Sequence, residues 1–330
     1  MARGGSALVT SSCTSALHLA ARVVPHRPGD EVIVPAITFV STAMAFLCSS
    51  YGVRLADVDP ATGLVDPAAV AAQISNRTRA VVAVHLFGQR APTARLRELC
   101  DRHGIPLIED CAHRVDLLDD RPPLGDMACY SFNAVKEAPA GEGGLVWSSV
   151  AGGDERVRIL SNLGLTIDTV QRTQVLNHRD YGFSHEIGLK LRGNDLSAAL
   201  ALLSLDHLHA LREQRARIFS HYDQAVAAMN TCVQPIERNT GDSFLMYVVR
   251  VPAESRDAIR EGMAHCGVAT SVHYPSLTRH PRLRGPCCPV AERLDRELLT
   301  LPSFLALTPS EQDRVLSALA EACQASGAER

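Results

Sequence analysis

Short apolar runs alternate with helical stretches through the first third of the chain, and no other feature restricts the fold as much. Ser6–Thr10, Glu31–Pro35, Val53–Val58, Ala80–His85 and Pro106–Asp110 read as strands. Helices are predicted from near Thr14 and over 39–50, 67–74 and 91–103. Strand–helix alternation of this kind implies βαβ units and a mainly parallel sheet. Tyr130–Phe132 and Leu145–Trp147 read as two further strands around a glycine-rich loop. The second half changes character. Asn194-Asp195 caps a long helix over roughly 195–230, followed by a strand (Phe244–Val251), a helix (255–266), a strand (Val268–His273) and a terminal helix (309–325). The expectation is an α/β chain with a large, mostly parallel-sheet domain (1–212) and a smaller C-terminal α+β domain (213–330).

Composition narrows the setting. With 330 residues and 46% hydrophobic content, the chain has material for a large core. A net charge of −3 offers no electrostatic footprint for nucleic acid. No apolar run is long enough to span a bilayer, and the N-terminus has no signal-peptide pattern. The ten cysteines are scattered without a C-x-x-C pair, which fits free thiols in a reducing cytoplasm.

The chemistry centres on residues 129–144, CYSFNAVKEAPAGEGG, where Lys136 stands between an apolar strand and the glycine-rich loop. A lysine held in a tight pocket can lose its proton and form a Schiff base with a carbonyl. Upstream, Ile105–Asp110 reads as a buried strand ending on a carboxylate, with His113 just beyond. The pair suggests pyridoxal phosphate, with Lys136 holding the aldehyde and Asp110 the pyridine nitrogen. Ser11–Ser15 lies between a strand and a helix start, where free amides and hydroxyls can cradle a phosphate, and Ser131 is a second phosphate candidate. Phe39 follows a strand and could face the cofactor ring. A dinucleotide site would need G-x-G-x-x-G after the first strand, which is absent. A metal site at Glu109, Asp110, Cys111 and His113 is disfavoured because neighbouring strand residues point to opposite faces.

Taken together, SSCTSALHLA (11–20), PGDEVIVPAITFVSTA (28–43), VHLFGQ (84–89), HGIPLIEDCAH (103–113), YSFNAVK with GEGG (130–144), GLKLRGNDLSAAL (188–200) and VHYPSL (272–277) resemble the DegT/DnrJ/EryC1/StrS family of sugar aminotransferases. The resemblance implies a fold-type I pyridoxal phosphate enzyme, a homodimer with active sites at its interface. Carried onto this sequence, it implies Lys136 as the Schiff-base lysine, Asp110 as the pyridine partner and His113 beside the cofactor's 3-hydroxyl. Phe39 would be the stacking aromatic, and Thr14, Ser15 and Ser131 the phosphate ligands. The 188–192 segment would come from the neighbouring subunit, with Lys190 and Arg192 as candidate cations for the phosphate or the donor carboxylate. His273 would lie near the sugar or donor site. The implied reaction moves an amino group from glutamate or glutamine to a nucleotide-linked keto-hexose or a ketocyclitol. Loops 114–125 and 164–187 are expected to shape the acceptor pocket.

Three departures carry consequences. Many family members have Asn at the position of Lys190, and Glu137 replaces the usual Asn after the lysine. Members also usually begin a few tens of residues earlier, with a helix near the partner subunit. The alternative reading is therefore a non-catalytic or regulatory homologue that keeps the fold. A related 3-dehydratase branch replaces the Schiff-base lysine with histidine, and Lys136 argues against it.

Overall fold

The computed structural model describes residues 5–115, 123–167, 182–239, 241–283, 285 and 287–328. In chain order its first part contains β1 (Ser6–Thr10), α1 (Cys13–Val23), β2 (Glu31–Pro35), α2 (Ser41–Leu47), β3 (Gly52–Ala56), α3 (Pro67–Gln73) and β4 (Thr78–Val84). Next come α4 (Thr93–His103), β5 (Leu107–Cys111), β6 (Met127–Ser131), β7 (Gly144–Ser148) and α5 (Gly153–Leu160). The seven strands form one sheet in the order β1-β7-β6-β5-β4-β2-β3. β7 is antiparallel to both its neighbours, and the remaining pairings are parallel.

Both faces of this sheet are covered. Val32 and Val34 join one core with Leu17 and Phe46 of α1 and α2, while Ile33 joins another with Leu96 and Leu99 of α4. Such strands read as unbroken apolar runs, because consecutive residues supply opposite, equally buried faces. The mostly parallel α/β sheet expected from the sequence is thus the observed architecture.

The rest of the chain holds α6 (Asp195–Asp206), α7 (Leu208–Ala228), β8 (Gln234–Pro235), β9 (Tyr247–Arg250), α8 (Arg256–His265), α9 (Pro289–Glu297), β10 (Leu298–Leu301) and α10 (Pro309–Ala325). A three-stranded antiparallel sheet, β10-β9-β8, packs with Phe219, Tyr222 and Leu319 around a separate core. The boundary expected at 212/213 falls inside α7. Among the described residues, no helix is long and apolar enough to cross a membrane. Among the described residues no cysteine forms a disulfide.

Three local expectations are corrected. The helix foreseen over 195–230 is broken at His207 (φ −100°, ψ 2°), whose ring lies 2.8 Å from the Leu203 carbonyl and takes the place of a helical amide there. The strand foreseen over Val268–His273 is absent. Only Ser271 bridges, to Thr300 of β10, an edge strand that the sequence reading missed, as it missed α5 and α9. The helix foreseen over 39–50 narrows to α2, leaving Phe39 ahead of its first turn.

Candidate active site

Asp110 is the penultimate residue of β5, and the parallel neighbours of that strand deliver further polar groups to the same edge of the sheet. Asp110 is fully enclosed. Thr42 donates its hydroxyl to Oδ2 at 2.7 Å, and the Ala112 amide donates to Oδ1 at 3.0 Å. With its own proton spent on Asp110, Thr42 must accept from Thr38, 2.9 Å away. The Cys13 thiol lies 3.9 Å from Oδ1. Burial pushes the Asp110 carboxyl above the usual range, against the pull of Thr42, the Ala112 amide and the Lys136 cation. A buried carboxylate in that state has unspent capacity for a positive partner.

Lys136 follows β6 in a tight turn, its amide bonded to the Asn133 carbonyl at 2.9 Å. Burial lowers its pKa, while Asp110 and Cys13 pull the other way. Among the described residues, its amine has no hydrogen bond. A half-buried, unpartnered amine close to an enclosed carboxylate is the arrangement that carbonyl capture needs.

The phosphate candidates gather at the start of α1. Ser12 caps the helix, its side chain accepting from the Ser15 amide at 3.1 Å, and the Ser15 hydroxyl sits 2.8 Å from that of Ser11. First-turn amides have no intrahelical acceptor, so this turn, with Thr14 in it, suits an anion. Gly144 of β7 makes the close approach possible: a Cβ there would stand 2.5 Å from the Cys13 nitrogen. Ser131, buried at the end of β6, pairs with Gly144 across the strands and so faces the same corner.

His113 is buried, and its Nδ1 accepts from the Phe87 amide at 3.2 Å. Burial, then Lys136, holds its pKa well below the usual value, so the ring is neutral and carries its proton on Nε2. That proton points at the Tyr274 hydroxyl, 2.9 Å away. Tyr274 therefore accepts from His113 and keeps its own O–H free to donate. Phe87 stands at φ 61° to present its amide, a left-handed conformation that a bulky residue rarely adopts. Phe39 is half-exposed, with its ring 5.5 Å from Tyr274, and the two border a cleft of about 420 Å³.

His273 lies one residue from Tyr274 and bonds to Thr300 at 3.0 Å; burial and Lys136 lower its pKa. Lys190 is exposed and bridged to Asn162, while Arg192 bridges to Thr10 with its Nε buried and unpartnered. Asp110, Lys136, His113 and His273 are thus brought into electrostatic range of one another, with the α1 cradle alongside. The acceptor-pocket residues 116–122 and 168–181 lie outside the described residues.

Sequence reasoning missed Tyr274, although it sits inside the VHYPSL motif. It also missed a signal in the composition. The chain has two lysines, Lys136 and Lys190, against 31 arginines. Where nearly every cation is arginine, each lysine invites the question of what an amine does there that a guanidinium does not. Among the described residues one group has metal-ligand spacing, His85, Glu109 and Cys111. His85 donates to Glu109 at 2.7 Å and accepts from the Ala91 amide, and the Gly125 amide takes the other Glu109 oxygen. The cluster satisfies itself without an ion.

A profile of the DegT/DnrJ/EryC1/StrS aminotransferase family matches residues 2–320. The chain belongs to that family. It is a pyridoxal-phosphate-dependent aminotransferase. The aminotransferase TlmJ from Streptoalloteichus hindustanus is 30% identical with a TM-score of 0.88, over 97% of this chain and 86% of TlmJ. DesV of S. venezuelae is 28% identical with a TM-score of 0.83, over 96% and 84% of the two chains. The sugar aminotransferase CalS13 from Micromonospora echinospora is 26% identical, TM-score 0.81, over 96% and 87%. The site fits the family's cofactor on three counts: an enclosed carboxylate with capacity for a cation, an unbonded amine beside it, and a helix N-terminus that only a glycine at 144 leaves open.

Proposed function

We propose that this family member transfers an amino group from glutamate or glutamine to a keto sugar, either a nucleotide-linked keto-hexose or a ketocyclitol, in two half-reactions that share one site. The observation that carries the reading is the unbonded Lys136 amine in electrostatic range of the enclosed Asp110. The sugar acceptor is supported by CalS13, described as a sugar aminotransferase.

Bound pyridoxal phosphate supplies an aldehyde that condenses with amines and a ring that accepts electrons from the substrate carbon. The chain's own groups do the rest. Asp110 would hold the ring nitrogen in its charged form, and that cation would compensate the buried carboxylate. Thr14, Ser15 and Ser131 would hold the phosphate at the α1 N-terminus, Phe39 would pack against the ring, and His113 would be a partner for its hydroxyl. Lys136 Nζ takes the proton from the substrate carbon and returns it as general base and acid. Desolvation suits this role, because a lowered pKa leaves more free amine near neutrality. Arg192, with a buried Nε to spare, is the candidate for the donor carboxylate, and His273 borders the donor or sugar side.

The working form is a homodimer, in which Lys190 reaches the partner's phosphate. Support comes from α6, where Leu196, Leu200, Leu202 and Leu203 are all at least half exposed, with Phe183 and Ile187 close to Lys190 in sequence. A monomer seldom shows water so much apolar side chain in one region. Each leucine covered contributes roughly 1.5–3 kcal/mol. The double variant Leu196→Glu, Leu200→Glu is expected to sediment at half the wild-type mass and to lose most turnover. A cytoplasmic setting is consistent with ten cysteines outside any disulfide.

The deciding experiment is the visible spectrum of purified protein with pyridoxal phosphate. A yellow band, bleached by glutamate or glutamine and restored by a keto sugar but not by buffer, is the expected result. A wild type that forms no band would overturn the reading.

A further inference from the structure

Lys136 is not held in place by the sheet alone. Its loop is gripped from α6 and α7 through the residue that follows it. Glu137 is 1% exposed. Arg212 of α7 donates Nε to Glu137 Oε1 at 2.5 Å and Nη2 to the Val115 carbonyl at 2.6 Å. The Val115 amide donates to Glu137 Oε2 at 2.7 Å. Arg215, one turn along α7, donates to the Lys136 carbonyl at 3.2 Å and the Glu137 carbonyl at 3.4 Å. Ser204 of α6 donates to the Pro139 carbonyl. One buried carboxylate therefore joins the lysine loop, the chain just after β5 and helix α7.

We propose that Glu137 is the positioning residue for Lys136, its carboxylate fixing the loop against Arg212 and Val115 so that the amine stands where Asp110 and His113 can act with it. The inference rests on the assignment of Lys136 made above. Energetics favour a geometric role over simple reinforcement. Taking a carboxylate and a guanidinium out of water costs about as much as their attraction returns, so a buried pair is a poor source of net stability. It is a good source of direction, because the bonds made by Arg212 and the Val115 amide specify one placement of the backbone. Glu137 also offsets the charge that Arg212 and Arg215 would otherwise bring together; Arg215 responds to both. The grip extends to α6, whose apolar face is the proposed dimer surface, so covering that face steadies the segment that carries the amine.

The test uses Glu137→Gln, Arg212→Gln and the double variant. Apoprotein is mixed with pyridoxal phosphate and quenched with borohydride at timed intervals. The amine condenses with the aldehyde with loss of water, and hydride delivered to the C=N carbon makes the link permanent. Peptide mapping then separates the two lysines of the chain. Displacing a reacting group by about 1 Å costs up to ~100-fold. The expected result is Lys136 capture slowed ~10- to 100-fold in each single variant, with Lys190 unaffected and near-ultraviolet circular dichroism retained. The double variant should be no slower than the slower single, since both act through one contact. Donor KM should stay near wild type while kcat falls with the capture rate. If Glu137→Gln does not fold, Arg212→Gln, whose side chain is 17% exposed, reads the same contact. Unchanged capture at Lys136 in a folded variant overturns the inference while leaving the site intact. A wild type in which Lys136 reacts no faster than Lys190 overturns the site assignment first.

Discussion

Lys136→Ala is expected to lose at least ~1000-fold in turnover, because in the proposed reaction one side chain supplies both carbonyl capture and proton transfer and each is worth orders of magnitude. The variant should fold. Its amine makes no hydrogen bond among the described residues, and burial of the charged form is a cost that alanine removes. It should also still take up pyridoxal phosphate through Asp110 and the α1 turn, without the yellow band of the lysine-bound cofactor. The informative comparison is with Lys190→Ala. Both variants remove one of two lysines, and only the first should abolish the glutamate half-reaction in a single turnover. Equal losses in the two would relocate the chemistry.

Asp110→Asn should have an effect of the same order with the opposite signature in stability. Turnover is expected to fall ~1000-fold, since a neutral amide cannot hold the ring nitrogen charged and the ring loses its pull on electrons. Without cofactor, the variant should be the more stable protein near neutral pH. The sign follows from the raised carboxyl pKa. A group whose folded pKa exceeds its unfolded one stabilises below the unfolded value, and that contribution is lost as pH rises through the folded value. Above that window, wild-type apoprotein carries an enclosed carboxylate at a cost, and asparagine does not. The variant's advantage in melting temperature should therefore grow from acid to neutral pH and reverse when pyridoxal phosphate is added, because only the wild type binds it tightly. The exchange also bears on the amine. Asp110 raises the Lys136 pKa, so its removal should lower that pKa further, readable as a downward shift in the pH dependence of lysine modification. An advantage independent of pH would show that the Asp110 carboxyl titrates alike in the folded and unfolded chains, against the raised value of the native site.

Much of this was legible in the sequence because it is local. Strands β1 to β7 were foreseen to within a few residues: a parallel strand covered on both faces announces itself as a short apolar run. Asp110 stands next to the end of β5, and the serine turn and the Lys136 loop come after β1 and β6, so finding the strand ends finds them. What escaped depends on contacts between distant segments. The break at His207 comes from a side chain folding back on a carbonyl, and the helical periodicity on either side conceals it. β10 is four residues long and becomes a strand only by pairing with β9. Glu137 was visible as an unusual residue, but its meaning lies 75 positions away in Arg212. Tyr274 acquires its role through His113, 161 residues distant.

The scarcity of lysine has a practical consequence. Aldehydes and reducing sugars glycate proteins wherever a free amine meets water, and most enzymes present a surface crowded with such targets. Here the arginine-coated exterior offers them almost nothing. Apart from the N-terminus, Lys190 is the exposed side-chain amine, and Lys136 is half buried. A protein that works among reactive carbonyls is in this way shielded from its own reagents. An amine-directed probe therefore meets only two lysine side chains, one exposed and one half buried, and the rates at the two read their surroundings with little background.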